Sequence, residues 1–197
     1  MAVNLTKGQR ISLEKEAGTS LTTVVMGLGW DIKKAKGGLL GSFLGSKKEQ
    51  AIDLDASCIL FDDAKNPLDL VWFRQLQSKD GSIVHTGDNR TGEGDGDDEQ
   101  IIVQLSRVPV NVKTLVFTVN NFTGQNFENV ENAFCRIVDQ RSGKEIAKYD
   151  LSCGGQHTAM VMAKIYRHNG EWKMHAIGDY SHGRTVQDLL PAIMPSL

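Results

Sequence analysis

The chain is predicted to be all-β: a two-sheet antiparallel β-sandwich with short peripheral helices and a C-terminal helix. Three observations lead there. Short runs rich in Val, Ile, Phe and Thr recur along the 197 residues, separated by turn residues. No helical pattern of ten or more residues lies between them, which argues against βαβ units. One hairpin is written out in full. Ala159, Val161, Ala163 and Ile165 alternate with Met160, Met162, Lys164 and Tyr166, Asn169-Gly170 supplies a positive-φ turn, and Glu171-Trp172-Lys173-Met174 starts the return strand.

Taken in order, strands are expected near 10–13, 22–30, 52–61, 68–74, 101–105, 113–120, 133–139, 144–151, 157–167 and 171–178. A helical turn is expected within 125–131. Thr185 can cap a short C-terminal helix through Leu190. Residues 1–197 read as a single domain carrying an irregular insert at about 32–50. Within that insert Gly38 to Lys47 lacks the order of a phosphate-binding loop. Its lysines around an apolar centre leave two readings, a surface loop or a contact with anionic lipid. Trp30, Trp72 and Trp172 read as core fillers.

Bulk composition narrows the function. A formal net charge of −2 gives no electrostatic reason to expect nucleic acid. No apolar run approaches membrane-spanning length, and the N-terminal residues do not form a secretory signal. The three cysteines, Cys58, Cys135 and Cys153, show no paired spacing. Buried or idle thiols in a reducing, cytoplasmic setting follow.

The chemistry concentrates in one segment. Residues 87–99, from Gly87 to Glu99, hold six carboxylates and four glycines against one arginine, Arg90. Two like charges ~4 Å apart cost about 4 kcal/mol at an effective dielectric near 20. Such a loop either spreads its charges into water or wraps them around a cation, and both readings stand. It is not an EF-hand, because Glu93 occupies the position that needs glycine. Asp88, Asn89, Asp97, Asp98 and Glu99 offer oxygen ligands, and the number of acids is enough for two ions. An all-oxygen donor set favours Ca2+ over zinc, while Mg2+ is harder to separate. His85 reads as a strand residue at the loop edge.

Two further acidic positions matter. The strand at 22–30 runs into Asp31, and the strand at 52–61 opens with Asp53 and Asp55, two apart and so on one face. If these strands pair as a hairpin with the insert as their loop, Asp31, Asp53 and Asp55 share one end. Leu54, Ala56, Cys58 and Leu60 then enter the core.

The same residues resemble the TerD-domain family of tellurium-resistance and stress proteins. The resemblance rests on Gly27-Leu28-Gly29-Trp30-Asp31, Asp53-Leu54-Asp55-Ala56-Ser57, His85 through Asn89, Thr91 through Glu99, and Tyr166 through Lys173. The insert at 33–50, Leu70 through Leu76, Asn132 through Arg136 and His182 through Val186 point to one branch within it. The resemblance implies a β-sandwich that binds calcium at one end through Asp31, Asp53, Asp55, Asp88, Asn89, Asp97, Asp98 and Glu99. Asp95 and Glu93 are weaker candidates. It implies a cytoplasmic protein that gathers at the inner face of the membrane. Its partners would be other tellurium-resistance proteins, a membrane-embedded one among the candidates. No reaction attaches to the domain, so a non-enzymatic scaffold is expected. The alternatives are a metal-dependent phosphoester hydrolase and thiol-based tellurite handling, neither with a convincing base–nucleophile or dithiol pair.

Overall fold

The computed structural model describes residues 2–32, 54–87, 96–151 and 155–197. Among these, twelve strands form two six-stranded sheets. One sheet contains β1 (Val3–Leu5), β3 (Val24–Ile32), β6 (Ile83–His85), β7 (Glu99–Val103), β9 (Val130–Asp139) and β10 (Glu145–Asp150), in the order β1-β10-β9-β3-β7-β6. The other contains β2 (Arg10–Ser12), β4 (Leu54–Phe61), β5 (Pro67–Val71), β8 (Thr114–Asn121), β11 (Ala159–His168) and β12 (Glu171–Ser181), in the order β2-β12-β11-β8-β4-β5. Pairing is antiparallel except between β1 and β10. The all-β sandwich read from the sequence is therefore the observed fold. No helix among the described residues is long and apolar enough to cross a membrane.

The main core fills the space between the sheets. β3 contributes Val24, Met26, Leu28 and Trp30, and β4 contributes Leu54, Ala56, Cys58 and Leu60, as period-two alternation dictates. β4 is buried on both faces. Ile59 and Phe61 point outward into a second apolar cluster with Val116, Val161, Val186, Leu189 and Ile193. The C-terminal segment covers that part of the sheet. It consists of a 3-10 turn at Val186–Leu189, a four-residue α-helix α2 (Leu190–Ile193) and a further 3-10 turn. The Asp188 carboxylate accepts the Arg184 and Thr185 N–H groups at 3.0 Å and fixes its start.

Several local readings need correction. β3 and β4 do not form a hairpin. β3 lies between β9 and β7 in one sheet, and β4 lies between β8 and β5 in the other. The connection from 33 to 53 thus passes between sheets, and it falls outside the described residues. Residue 13 is not a strand end. Leu13–Ala17 forms the short helix α1, with the Ser12 hydroxyl accepting the Lys15 N–H and Gly18 closing it at φ 74°. The alternation along β11 is interrupted by a bulge between Val161 and Ala163, so Met160, Met162, Ala163 and Ile165 all enter the main core. The Asn169-Gly170 turn forms as read, with φ of 52° and 79°. The expected turn near 125–131 is a 3-10 turn at Phe127–Asn129. Trp30 and Trp172 are core residues, whereas Trp72 is half-buried against the outer cluster.

Candidate metal centre

The acidic segment re-enters the described structure at Gly96, and the next three carboxylates take three different directions. Asp97 turns onto the outer face of β3. Gly27 there lies in register with Arg136 of β9 on one side and Gln100 of β7 on the other. Both neighbours donate to Asp97, Arg136 Nε to Oδ1 at 2.7 Å and Gln100 Nε2 to Oδ2 at 3.1 Å. A Cβ on Gly27 would overlap the Asp97 carboxylate. Glycine is needed at 27 because another residue's side chain occupies the place of its own. Gly29 serves the same purpose two residues on: a Cβ would fall 2.7 Å from the Gly96 carbonyl and against the Phe134 ring.

Asp98 extends the pairing of β7 with β3. Its N–H donates to the Leu28 carbonyl at 2.7 Å, and its Oδ2 accepts the Trp30 N–H at 2.8 Å. Burial pushes the Asp98 carboxyl above its ordinary range, and the negative charges of Asp31 and Asp97 add to that. The Trp30 N–H opposes the shift without cancelling it. Asp31 is exposed and accepts Asn132 Nδ2 at 2.8 Å. Asp31 and Asp98 open on one cavity of about 650 Å3, whose wall includes Asn132, Phe134, Lys148 and Asp150. Lys148 pairs with Asp150 at 3.0 Å and stacks over Phe134.

Glu99 points into the sandwich. Its side chain and that of His85 are fully buried, with Oε2 3.4 Å from His85 Nε2. The Gly87 N–H donates to His85 Nδ1, which leaves the ring proton on Nε2, facing Glu99. Glu99 Oε2 also accepts the Ala56 N–H at 2.7 Å. β5 pairs with β4 only from Cys58 onward, so this carboxylate caps the edge of β4 where its neighbour has ended. Asp55 is buried opposite Asn120 of β8, on the face that carries Ile59 and Phe61.

Leu28, Glu99 and Ala56 thus stand at one level, and the C-terminal end of β3 and the N-terminal end of β4 lie at one end of the sandwich. The segments read from the sequence converge there through Glu99 rather than through a hairpin. Asp53, Asp88 and Asn89, with Glu93 and Asp95, lie outside the described residues. Among the described residues no three His, Cys, Asp or Glu side chains are grouped closely enough to hold a metal by themselves. The oxygen donors that face the cavity, Asp31 and Asp98, suit a hard cation.

The sequence reading missed Arg136, Gln100 and Asn132. A register argument could have found the first two, since both oppose the same glycine. The thiols Cys58 and Cys135 are reduced and buried, and burial with the nearby Asp69 charge drives the Cys58 pKa far up. Cys153 lies outside the described residues.

Known proteins resemble the chain closely. The model of the TerD domain matches residues 1–191. Tellurium resistance protein TerZ of Serratia marcescens is 52% identical over 187 residues, covering 95% of this chain and 94% of that protein. Stress response protein SCP2 of Bacillus subtilis (strain 168) is 40% identical, covering 96% and 98%. The crystal structure of a homologue of telluride resistance protein (TerD) from Streptomyces coelicolor A3(2) superposes with a TM-score of 0.67. It is 19% identical and covers 87% of this chain and 96% of that one, a likeness of fold.

Proposed function

The chain belongs to the TerD-domain family of tellurium-resistance and stress-response proteins, and from that premise we propose that it is a calcium-binding, non-enzymatic interaction module. The observation that carries this reading is that the Asp31 and Asp98 carboxylates open together on one cavity of about 650 Å3. Burial, with the charges of Asp31 and Asp97, pushes the Asp98 carboxyl above its ordinary range. A cation there would lower the electrostatic cost of keeping Asp98 ionised.

Asp31 and Asp98 supply ligands from the described residues, with Asp53, Asp88 and Asn89 completing the shell for one or two ions. Asp97 and Glu99 build the frame, because Arg136 and Gln100 hold the first and Ala56 and His85 hold the second. Asp55 lies buried near the start of β4, in register with Asn120. When bound, calcium would neutralise the cluster. The surface beside it would then engage other tellurium-resistance proteins, a membrane-embedded one included, from the cytoplasmic side. The non-enzymatic reading is supported by the histidines, which occupy separate surroundings: His85 inside the sandwich, His157 stacked on Tyr180, His168 and His182 exposed, and His175 on the outer face of β12.

Thermal melts in calcium and in chelator test the proposal, alongside calorimetric titration. At a hundredfold excess over Kd the stabilisation is about 2.7 kcal/mol. For a domain of this size that raises Tm on the order of 5–10 °C. Asp98→Asn should remove most of that increment, yet melt higher than the wild type in chelator at neutral pH. Identical wild-type melts in the two buffers, with no heat on titration, would sink the calcium reading.

A further inference from the structure

The outer face of the second sheet carries a row of basic side chains that the acidic end does not explain. Arg10 of β2 lies directly opposite His175 of β12, and His175 lies directly opposite Lys164 of β11. Residues opposed in register share a face, so three basic side chains stand abreast on adjacent strands. Lys65, in the turn after β4, adds a further positive charge within electrostatic reach of Lys164. The ammonium of Lys164 stacks over the Tyr166 ring at 5.0 Å.

Few groups among the described residues compensate these charges. Lys164 Nζ donates to the Ser196 carbonyl, and Lys65 Nζ donates to the Leu197 main-chain oxygen at 2.7 Å. The acid that acts on His175 is Asp179, which Lys7 already holds at 2.7 Å. Arg10 makes no hydrogen bond or ion pair among the described residues, and His175 Nδ1 is buried with no partner. Burial pushes the Lys164 ammonium down and holds His175 down to about 4, with the Arg10 charge adding to both, so at neutral pH the imidazole between the two cations is uncharged.

We propose that the row Arg10–His175–Lys164, with Lys65 at its edge, is a binding site for a phosphate group. A guanidinium gives a planar pair of donors, an ammonium gives a compact charge, and an imidazole gives a donor once it takes a proton. Together they suit a tetrahedral dianion. The carrier is either a soluble phosphate compound or the headgroup of an anionic lipid. The site sits toward the end of the sheet away from Asp55, since Lys164 opposes Val116 and Val116 opposes Ile59. It is therefore independent of the calcium reading.

The full chain, kept in chelator, is titrated with inorganic phosphate while the His175 and Arg10 side-chain NMR signals are followed. A parallel arm measures co-sedimentation with phosphatidylcholine vesicles with and without phosphatidic acid. Saturable shifts with phosphate identify a soluble carrier, and sedimentation only with phosphatidic acid identifies a lipid. In either case His175 should take up a proton on binding. The pair Arg10→Gln and Lys164→Gln should weaken binding at least tenfold. Asp179→Asn should strengthen it by removing the local acid and releasing Lys7. No response in either arm overturns the proposal. So does binding that is unchanged in the Arg10→Gln/Lys164→Gln protein while circular dichroism shows the fold intact.

Discussion

The two ends of the sandwich gather charge in opposite ways. At the acidic end, three consecutive carboxylates are separated by direction: Asp97 onto the outer face of β3, Asp98 along β3, Glu99 into the interior. Each finds its own donors. In the basic row, Arg10 and Lys164 flank the neutral His175 on three adjacent strands and share one face, and little comes to meet them. The contrast shows that a run of like charge in sequence does not fix how much charge remains uncompensated. Strand alternation and loop geometry disperse the acids, whereas strand register concentrates the bases.

The comparison breaks most visibly at Glu99. Glu99→Ala would leave the buried Ala56 N–H without its acceptor and open a void beside His85, and a buried donor left unsatisfied costs about 1–3 kcal/mol. Denaturant unfolding of this variant against wild type checks it, and a loss under 1 kcal/mol would mean that Glu99 is not the cap of the β4 edge. Next in size is Gly27→Val. Its side chain would displace the Asp97 carboxylate from Arg136 and Gln100, an overpacking cost of about 1–3 kcal/mol. The combination with Asp97→Ala should recover part of that loss. Equal stabilities of the single and double variants would show that the two residues do not meet.

The smallest effect sharpens the basic side. Arg10→Gln should stabilise the protein by a few tenths of a kcal/mol at low salt and by less at high salt. The pH dependence of the two ends also differs in sign. His175 has a folded pKa of about 4, below its usual 6.5, so its contribution is complete above pH 6.5 and is lost as pH falls toward 4. Asp98 has a raised folded pKa, so in chelator its unfavourable contribution is relieved as pH falls through that value. Arg10→Gln should shallow the acid-side loss. An unchanged slope between pH 6.5 and 4 would show that the Arg10 charge does not act on His175.

Much of this was readable in advance, and the reason is local. The sandwich follows from apolar alternation and turn residues, and Asn169-Gly170 forms the turn that its φ preferences demand. The acids at 97–99 stand out because they are contiguous. What was not readable depends on partners distant in sequence. Assigning β3 and β4 to different sheets requires knowing that β7, β8 and β9 intervene as neighbours. The short helix at Leu13–Ala17 was signalled by Ser12 and Gly18, but five residues are too few to show a helical period. The basic row draws on positions 10, 65, 164 and 175, and no window of sequence contains even three of them.

The notch at Gly27 makes two distant positions interchangeable in volume. A methyl group is missing from one strand because an oxygen from elsewhere sits in its place, so a side chain at 27 requires that oxygen to move, and losing the aspartate frees the space above the strand.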